Sequence, residues 1–492
     1  MVMTRLLVGI GFFLIMGCAT GTGRQTADTA SPRAPSAGAV PGTAGARATA
    51  PAMAPKPARR GPELTGTLTT EYLYDRLLSP APSETTVNQL SEYLTVRWRN
   101  STGPDLKVYF AGSYAHDFSD RRNSRYRIYK LFGEWTAPGS SLALRAGRQP
   151  ASGNTVFTRF DGLTFTYRPS PLVSLNVGGG FPVDHAVSDH LGIQTDRWFY
   201  DAYLMLYDWQ HVSGRLYYTQ ELDANFSMRQ AVGLNGYWLW KSVTVTAAGD
   251  YDLDFARPSL LLLRGDYAQG PARWSLGAEF RNNPFLDYAT ALLDPGFCGA
   301  AAPVTAFDDL SRQLSRGAIQ SCALKNTADA LQLDGGVAVD FSTVWRGDLR
   351  YAHIEGRVAD LSPAGAPAGQ RDRRSDRISL FLSERNGLGA SEIWSLLVLY
   401  EPATDSRMLS VTSTLSKYWQ SGLETSLRLR GDRITYEASG SRITRIIPGL
   451  LLLYAFPSGT SANLEAEYAL EQDSAAFHTN TLRIRAGLTI PF

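Results

Sequence analysis

Long apolar runs are missing from this chain. Beyond its first residues no stretch reaches about 18 consecutive apolar positions, the rough minimum for a membrane-crossing helix, so helical spans are excluded. Cysteine is nearly absent, with three in 492 residues and no C-x-x-C or C-x-x-C-H, which excludes a haem attachment or a cysteine zinc site of its own. Only six histidines occur. His116, His185, His190, His211 and His478 fall at strand ends or in links, and His353 near the end of a strand, so no nucleophile and base come together and no enzyme is expected. The densest group, "DHAVSDH" from Asp184 to His190, offers two His and two Asp, but reads as an exposed loop; neither metal nor other cofactor is expected. Charge of one sign is missing too. A net +2 gives no field that would favour a nucleic-acid partner. No segment favours a 3.6-residue period, so regular helix is minor. No repeat of roughly 40–50 residues marks a propeller, and no evenly spaced Gly and Asn turns mark a parallel β-helix.

What the chain has in abundance is alternation. Leu64, Leu68, Tyr72 and Tyr74 oppose Thr65, Thr69, Glu71 and Asp75; Leu94, Val96 and Trp98 oppose Thr95, Arg97 and Arg99. The same period of two recurs in Val243–Leu253, Leu331–Phe341, Leu423–Arg430 and Asn463–Glu471, and ends in Leu482–Phe492. About 22 such strands can be counted from Leu64 onward. Their links alternate in length. "NSTGPD", "TAPGSS", "YRPSPL", "QGPAR" and "FPSGTS" are short, whereas 76–87, 149–160, 182–196, 282–328 and 359–374 are long, and the long ones share one parity. Trp98, Trp135, Trp198, Trp240, Trp274, Trp345 and Trp419 sit toward strand ends, as amphipathic rings do at a headgroup level.

The N-terminus is a targeting segment. Arg5 precedes an apolar stretch, Leu6 to Met16, too short to span as a helix. It runs into "IMGC", which resembles a bacterial lipobox and implies lipidation of Cys18; ordinary cleavage nearby, for example after Ala19, is the alternative. Residues 1–17 are therefore read as signal peptide. Residues 18–62, rich in Ala, Pro, Gly and Thr, cannot bury enough surface to offset ordering entropy and read as a disordered tether. In an exported chain the remaining Cys298 and Cys322 suggest a disulfide closing a loop, against two unpaired thiols.

The exported start, the amphipathic strands and the terminal "GLTIPF" together resemble bacterial outer-membrane β-barrels of the porin type. Leu488, Ile490 and Phe492 match the C-terminal signal by which that class meets the barrel-assembly machinery. "LRAGRQPASGNTVFTRFDGLTFTYRP" resembles a stretch common in larger porin-like barrels. The resemblance covers 63–492 as architecture and implies an all-β transmembrane antiparallel barrel of 18–22 strands in outer-membrane lipid, with both ends periplasmic and the long links extracellular. Its lumen would be too wide for side chains alone to fill. No folded plug domain precedes it, so inward-folded loops, 149–160 and 282–328, are the internal candidates. Lumen residues are expected to include Arg97, Arg99, Arg145, Arg346, Arg350, Arg428, Arg430, Arg483 and Arg485 against Glu71, Asp250, Asp252, Asp334, Asp340, Glu424, Glu465 and Glu467. At least half should pair across strands, for example Arg483 with Glu467 and Glu71. The expected function is passive passage of small hydrophilic solutes or ions. The alternative is a barrel scaffold that sheathes periplasmic and extracellular multihaem cytochromes.

Overall fold

Strands with one polar and one apolar face satisfy their backbone amides by pairing on both edges, and a sheet that leaves no edge must close on itself. This chain does so. A computed structural model describes residues 62–79, 84–100, 105–119, 124–151, 158–183, 196–223, 226–283, 286–293, 299–300, 304, 307–359, 370–387, 389, 391–474 and 478–492. It shows a single 22-stranded sheet closed into a barrel, in agreement with the alternation count. The strands are β1 (Glu63–Ser79), β2 (Glu84–Asn100), β3 (Asp105–Asp117), β4 (Arg125–Thr136), β5 (Leu142–Pro150), β6 (Arg159–Ser170), β7 (Val173–Pro182) and β8 (Arg197–Trp209). Next come β9 (Val212–Asp223), β10 (Phe226–Trp240), β11 (Val243–Asp252), β12 (Arg257–Gln269), β13 (Ala272–Asn283), β14 (Ala328–Asp340) and β15 (Trp345–Ala359). The last are β16 (Gln370–Arg385), β17 (Glu392–Pro402), β18 (Ser406–Tyr418), β19 (Leu423–Tyr436), β20 (Arg442–Ala455), β21 (Ser461–Asp473) and β22 (His478–Pro491).

Each strand pairs antiparallel with its sequence neighbours, and β1 pairs with β22 from Thr67↔Pro491 to Ser79↔Asn480. Two backbone hydrogen bonds finish the seam, Gly66 N donating to Phe492 O (2.8 Å) and Phe492 N to Gly66 O (2.9 Å). Connections sort by length onto the two ends. The end that holds Glu63 and Phe492 has only short links; in one, Gln210 and His211 both take positive φ (49° and 71°), the twist that suits a two-residue hairpin turn. The opposite end holds the long links, including the insertion between β13 and β14.

Apolar side chains point outward. Leu276 is 73% exposed, and Leu163, Leu216, Leu261 and Leu427 are exposed likewise. Exposed tryptophans mark the ends of this band, with Trp135, Trp240, Trp274, Trp345 and Trp419 at the end that holds Glu63 and Phe492 and Trp198 at the other. Among the described residues the apolar core cluster lies inside the barrel mouth, beneath the insertion. There a 3-10 helix (Tyr288–Leu293), α1 (Phe307–Gln313) and α2 (Arg316–Asn326) pack Leu286, Tyr288, Phe307, Leu310 and Ile319 onto Met228 of β10 and Phe255 of the turn between β11 and β12. From its sequence 282–328 reads as a long polar link and a candidate inward-folded loop, with no helices expected in it. Its apolar residues follow no regular period, so only their packing reveals a folded unit. Cys18, the tether up to residue 61, Cys298 and Asp184–His190 lie outside the described residues.

Candidate functional site

Residues that face each other across a ladder share a face, so register assigns the lumen. Glu221 and Arg229 are paired in register, and Arg197, which bonds Glu221, also approaches Asp287 of the insertion, which identifies the inward rows. Following those rows around the barrel brings every charged residue named from the sequence onto the inward face. Arg97 lies opposite Thr65 and Tyr109, Arg350 opposite Gly336 and Ser379, and Arg428 opposite Thr414 and Gly449. The reason is local: one polar residue in two, with few bulges to change the parity.

Who pairs with whom is less local. Arg483 donates to Asp75 (2.8 Å) and not to Glu71, which is engaged by Arg485 (2.6 Å). Glu467 stands across from Arg483 in register, yet its carboxylate turns to Arg428, which also holds Glu465 at 3.0 Å. The expected Arg483 pairing with Glu467 and Glu71 is thus replaced by its other neighbour on β1. Arg145 and Lys107 share Glu134 (2.7 and 2.9 Å), and Arg99 takes Asp105 (2.9 Å). Arg430 takes Asp432 (2.8 Å). Arg97 lies over the ring of Tyr109, 5.6 Å from its centroid. Glu424 stands across from Tyr418. Asp334 and Asp340 each lie 3.9 Å from an arginine, Arg264 and Arg346 respectively.

Deeper toward the insertion the charges are buried. Arg229 donates to Asp250 (2.6 Å) with side chains 1% and 0% exposed, and Tyr217 Oη donates to the other Asp250 oxygen (2.6 Å). Asp252 lies 3.8 Å from Arg229 Nε and accepts from the Phe255 amide (2.8 Å). Arg197 bonds Glu221 and sits 3.9 Å from Asp287, whose other oxygen accepts from the Ala289 amide (2.8 Å). Burial pushes the Asp287 carboxyl above the usual carboxylate range, while Arg197, the Ala289 amide and Arg229 pull it back. The insertion is further held by Arg316, which donates to Asp254 (2.8 Å) and to Tyr288 Oη (3.2 Å). Cys322 is buried within α2, 3% exposed.

Arg197, Glu221, Arg229 and Asp287 were not picked out from sequence. Arg197 and Glu221 follow the ordinary alternation and carry a usable signal. Arg229 follows an irregularity at Met228 that breaks the period, and Asp287 belongs to the insertion. Among the described residues no group of three or more His, Cys, Asp or Glu is placed to hold a metal ion.

No protein-family model and no curated protein matches the chain. Among solved structures it is similar to OccAB2 of Acinetobacter baumannii, at 11% identity over 87% of this chain and 98% of that one, with a TM-score of 0.42. It is also similar to two proteins of Pseudomonas aeruginosa. For OccK2 (OpdF) the identity is 10%, over 87% and 98%, with a TM-score of 0.40. For OccD3 (OpdP) it is 12%, over 87% and 91%, with a TM-score of 0.38.

Proposed function

We propose that the chain is a channel of porin type in a bacterial outer membrane, through which small hydrophilic solutes or ions pass passively. One observation carries this: a closed 22-strand barrel with apolar residues outside and rows of charged residues inside. An outer face of bare hydrocarbon needs lipid around it, and a polar lumen needs water or a solute within it. On this reading Glu63 and Phe492 lie at the periplasmic end, the long links are extracellular, and the insertion narrows the outer mouth. The N-terminal segment serves export, with Cys18 lipidated and 18–62 as a tether, and the barrel-assembly machinery reads Leu488, Ile490 and Phe492. Cys298 and Cys322 pair to staple the insertion; alkylation without reductant should then leave both unlabelled. A sheath around a cytochrome has no observation of its own in its favour, since the insertion takes lumen space that a threaded partner would fill.

Single-channel recording in planar bilayers tests the reading. Stable open steps with weak ion preference are expected, because most of the mapped lumen arginines have carboxylate partners. A folded, heat-modifiable barrel that stays silent would overturn it.

A further inference from the structure

The inward rows of β12 to β15 hold a cluster of small residues. Ser275 lies opposite Gly336, and Ala338 opposite Arg273, and above them opens a hollow of about 300 Å³ near the end that holds Glu63 and Phe492. Its floor admits nothing larger: a Cβ added at Gly336 would stand 2.9 Å from Arg350 Cγ and 3.0 Å from the Leu349 carbonyl oxygen. Arg264 and Arg273 rise on one wall, Arg346 and Arg350 on the other.

Elsewhere in the lumen such groups are largely spoken for. Here only Arg350 is closely held, by two hydrogen bonds of 2.9 Å to Asp348. Arg264 is 3.9 Å from both Asp266 and Asp334, and Arg346 is 3.9 Å from Asp340, too far for hydrogen bonds. Arg273 has no ion pair among the described residues. Asp266 and Asp348 also line the hollow, and Asp334 and Asp340 stand beside it, so four carboxylates balance the four guanidiniums in charge. What the hollow offers an anion is free donor capacity, since among the described residues no carboxylate lies within hydrogen-bond distance of Arg264, Arg273 or Arg346.

We propose that this hollow is a binding site for a small phosphate-bearing solute. Arg273 on β13 and the pair on β15 approach across two strand spacings, about 10 Å, and Arg264 on β12 across three, about 14 Å, which long arginine side chains can bridge. A tetrahedral oxyanion accepts donors from several directions at once, whereas a carboxylate accepts them chiefly in its own plane. The hydroxyls of Ser275 and Thr244 line the same space. A hollow of this size is at the lower end for ligand pockets and suits a phosphate on a short carbon skeleton rather than a nucleotide.

The proposal rests on the channel reading, and two measurements separate them. Calorimetry with inorganic phosphate on the detergent-folded full chain reads the site without conduction. Saturable binding is expected, weakened at least ten-fold in the double variant Arg273→Gln, Arg346→Gln. It should also be lost in Ala338→Leu, which fills the hollow but keeps every charge, and kept in Arg407→Gln, an outward-facing control. No saturation, or an unchanged double variant, would overturn the site. Succinate binding as tightly as phosphate would overturn the assignment to a tetrahedral oxyanion. In bilayers, phosphate should reduce potassium chloride current saturably, with the same variant dependence. Current without saturation would refute the site alone; phosphate binding by a silent barrel would refute the channel alone.

Discussion

Gly66 has no side chain where the ring of Phe492 lies, and a Cβ there would stand 2.4 Å from the Phe492 Cζ. The same two residues exchange the backbone hydrogen bonds that end the seam. Gly66→Leu should therefore collide with the terminal ring and with the Thr95 carbonyl oxygen, 2.5 Å from the added Cβ. Deleting Phe492 should reduce membrane assembly while export continues, and Gly66→Leu should do so more mildly. The fraction of heat-modifiable barrel on gels reads both. A second residue-scale test concerns the buried pair. Asp250→Ala leaves Arg229 without its closest carboxylate in a site where both were almost fully covered. Removing one partner of a buried ion pair costs about 3–5 kcal/mol. The midpoint of urea unfolding should fall accordingly, while Asp250→Asn, which still accepts from Tyr217, should cost less.

At the scale of elements the strands and the insertion behave differently. Alternation such as Leu331, Leu333, Val337 and Val339 against Gln332 and Asp334 is a local pattern and marked β14 directly. The helices of the insertion were not legible, since Leu286, Tyr288, Phe307, Leu310 and Ile319 bury themselves against Met228 and Phe255, residues far off in sequence. Docking of this element should depend on pH through Asp287. Its carboxyl is raised by burial, so the docked state is favoured when it is protonated. That favour is full below the ordinary Asp value of about 4 and is lost as pH rises through the raised native value. Open-channel current should grow noisier as pH rises in the wild type, and less so in Asp287→Asn, where the neighbouring Glu221 carboxyl remains.

For the whole molecule, tilt and shear decide which charges meet. Arg428 on β19 reaches past β20 to Glu465 and Glu467 on β21, while Arg483 and Arg485, their partners in register, pair with Asp75 and Glu71 on β1. Glu465→Gln with Glu467→Gln should leave Arg428 uncompensated. The reversal potential under a salt gradient should then shift toward anions. The shift should shrink at 1 M salt, where charges are screened within about 3 Å. An unchanged potential would mean that Arg428 finds another partner or lies off the path of ions.

The sequence by itself determined the class of fold, the approximate strand number, the sorting of long links to one end and the face of charged residues on strands that keep an unbroken alternation. These follow from a two-residue period and from chain length between turns, both local properties. Tertiary structure alone decided the ion pairs, the buried cluster around Arg229, the folded insertion and the hollow among Arg264, Arg273, Arg346 and Arg350. Each depends on which row of one strand lies level with which row of the next. A closed barrel sets that alignment through the summed stagger of all its strands.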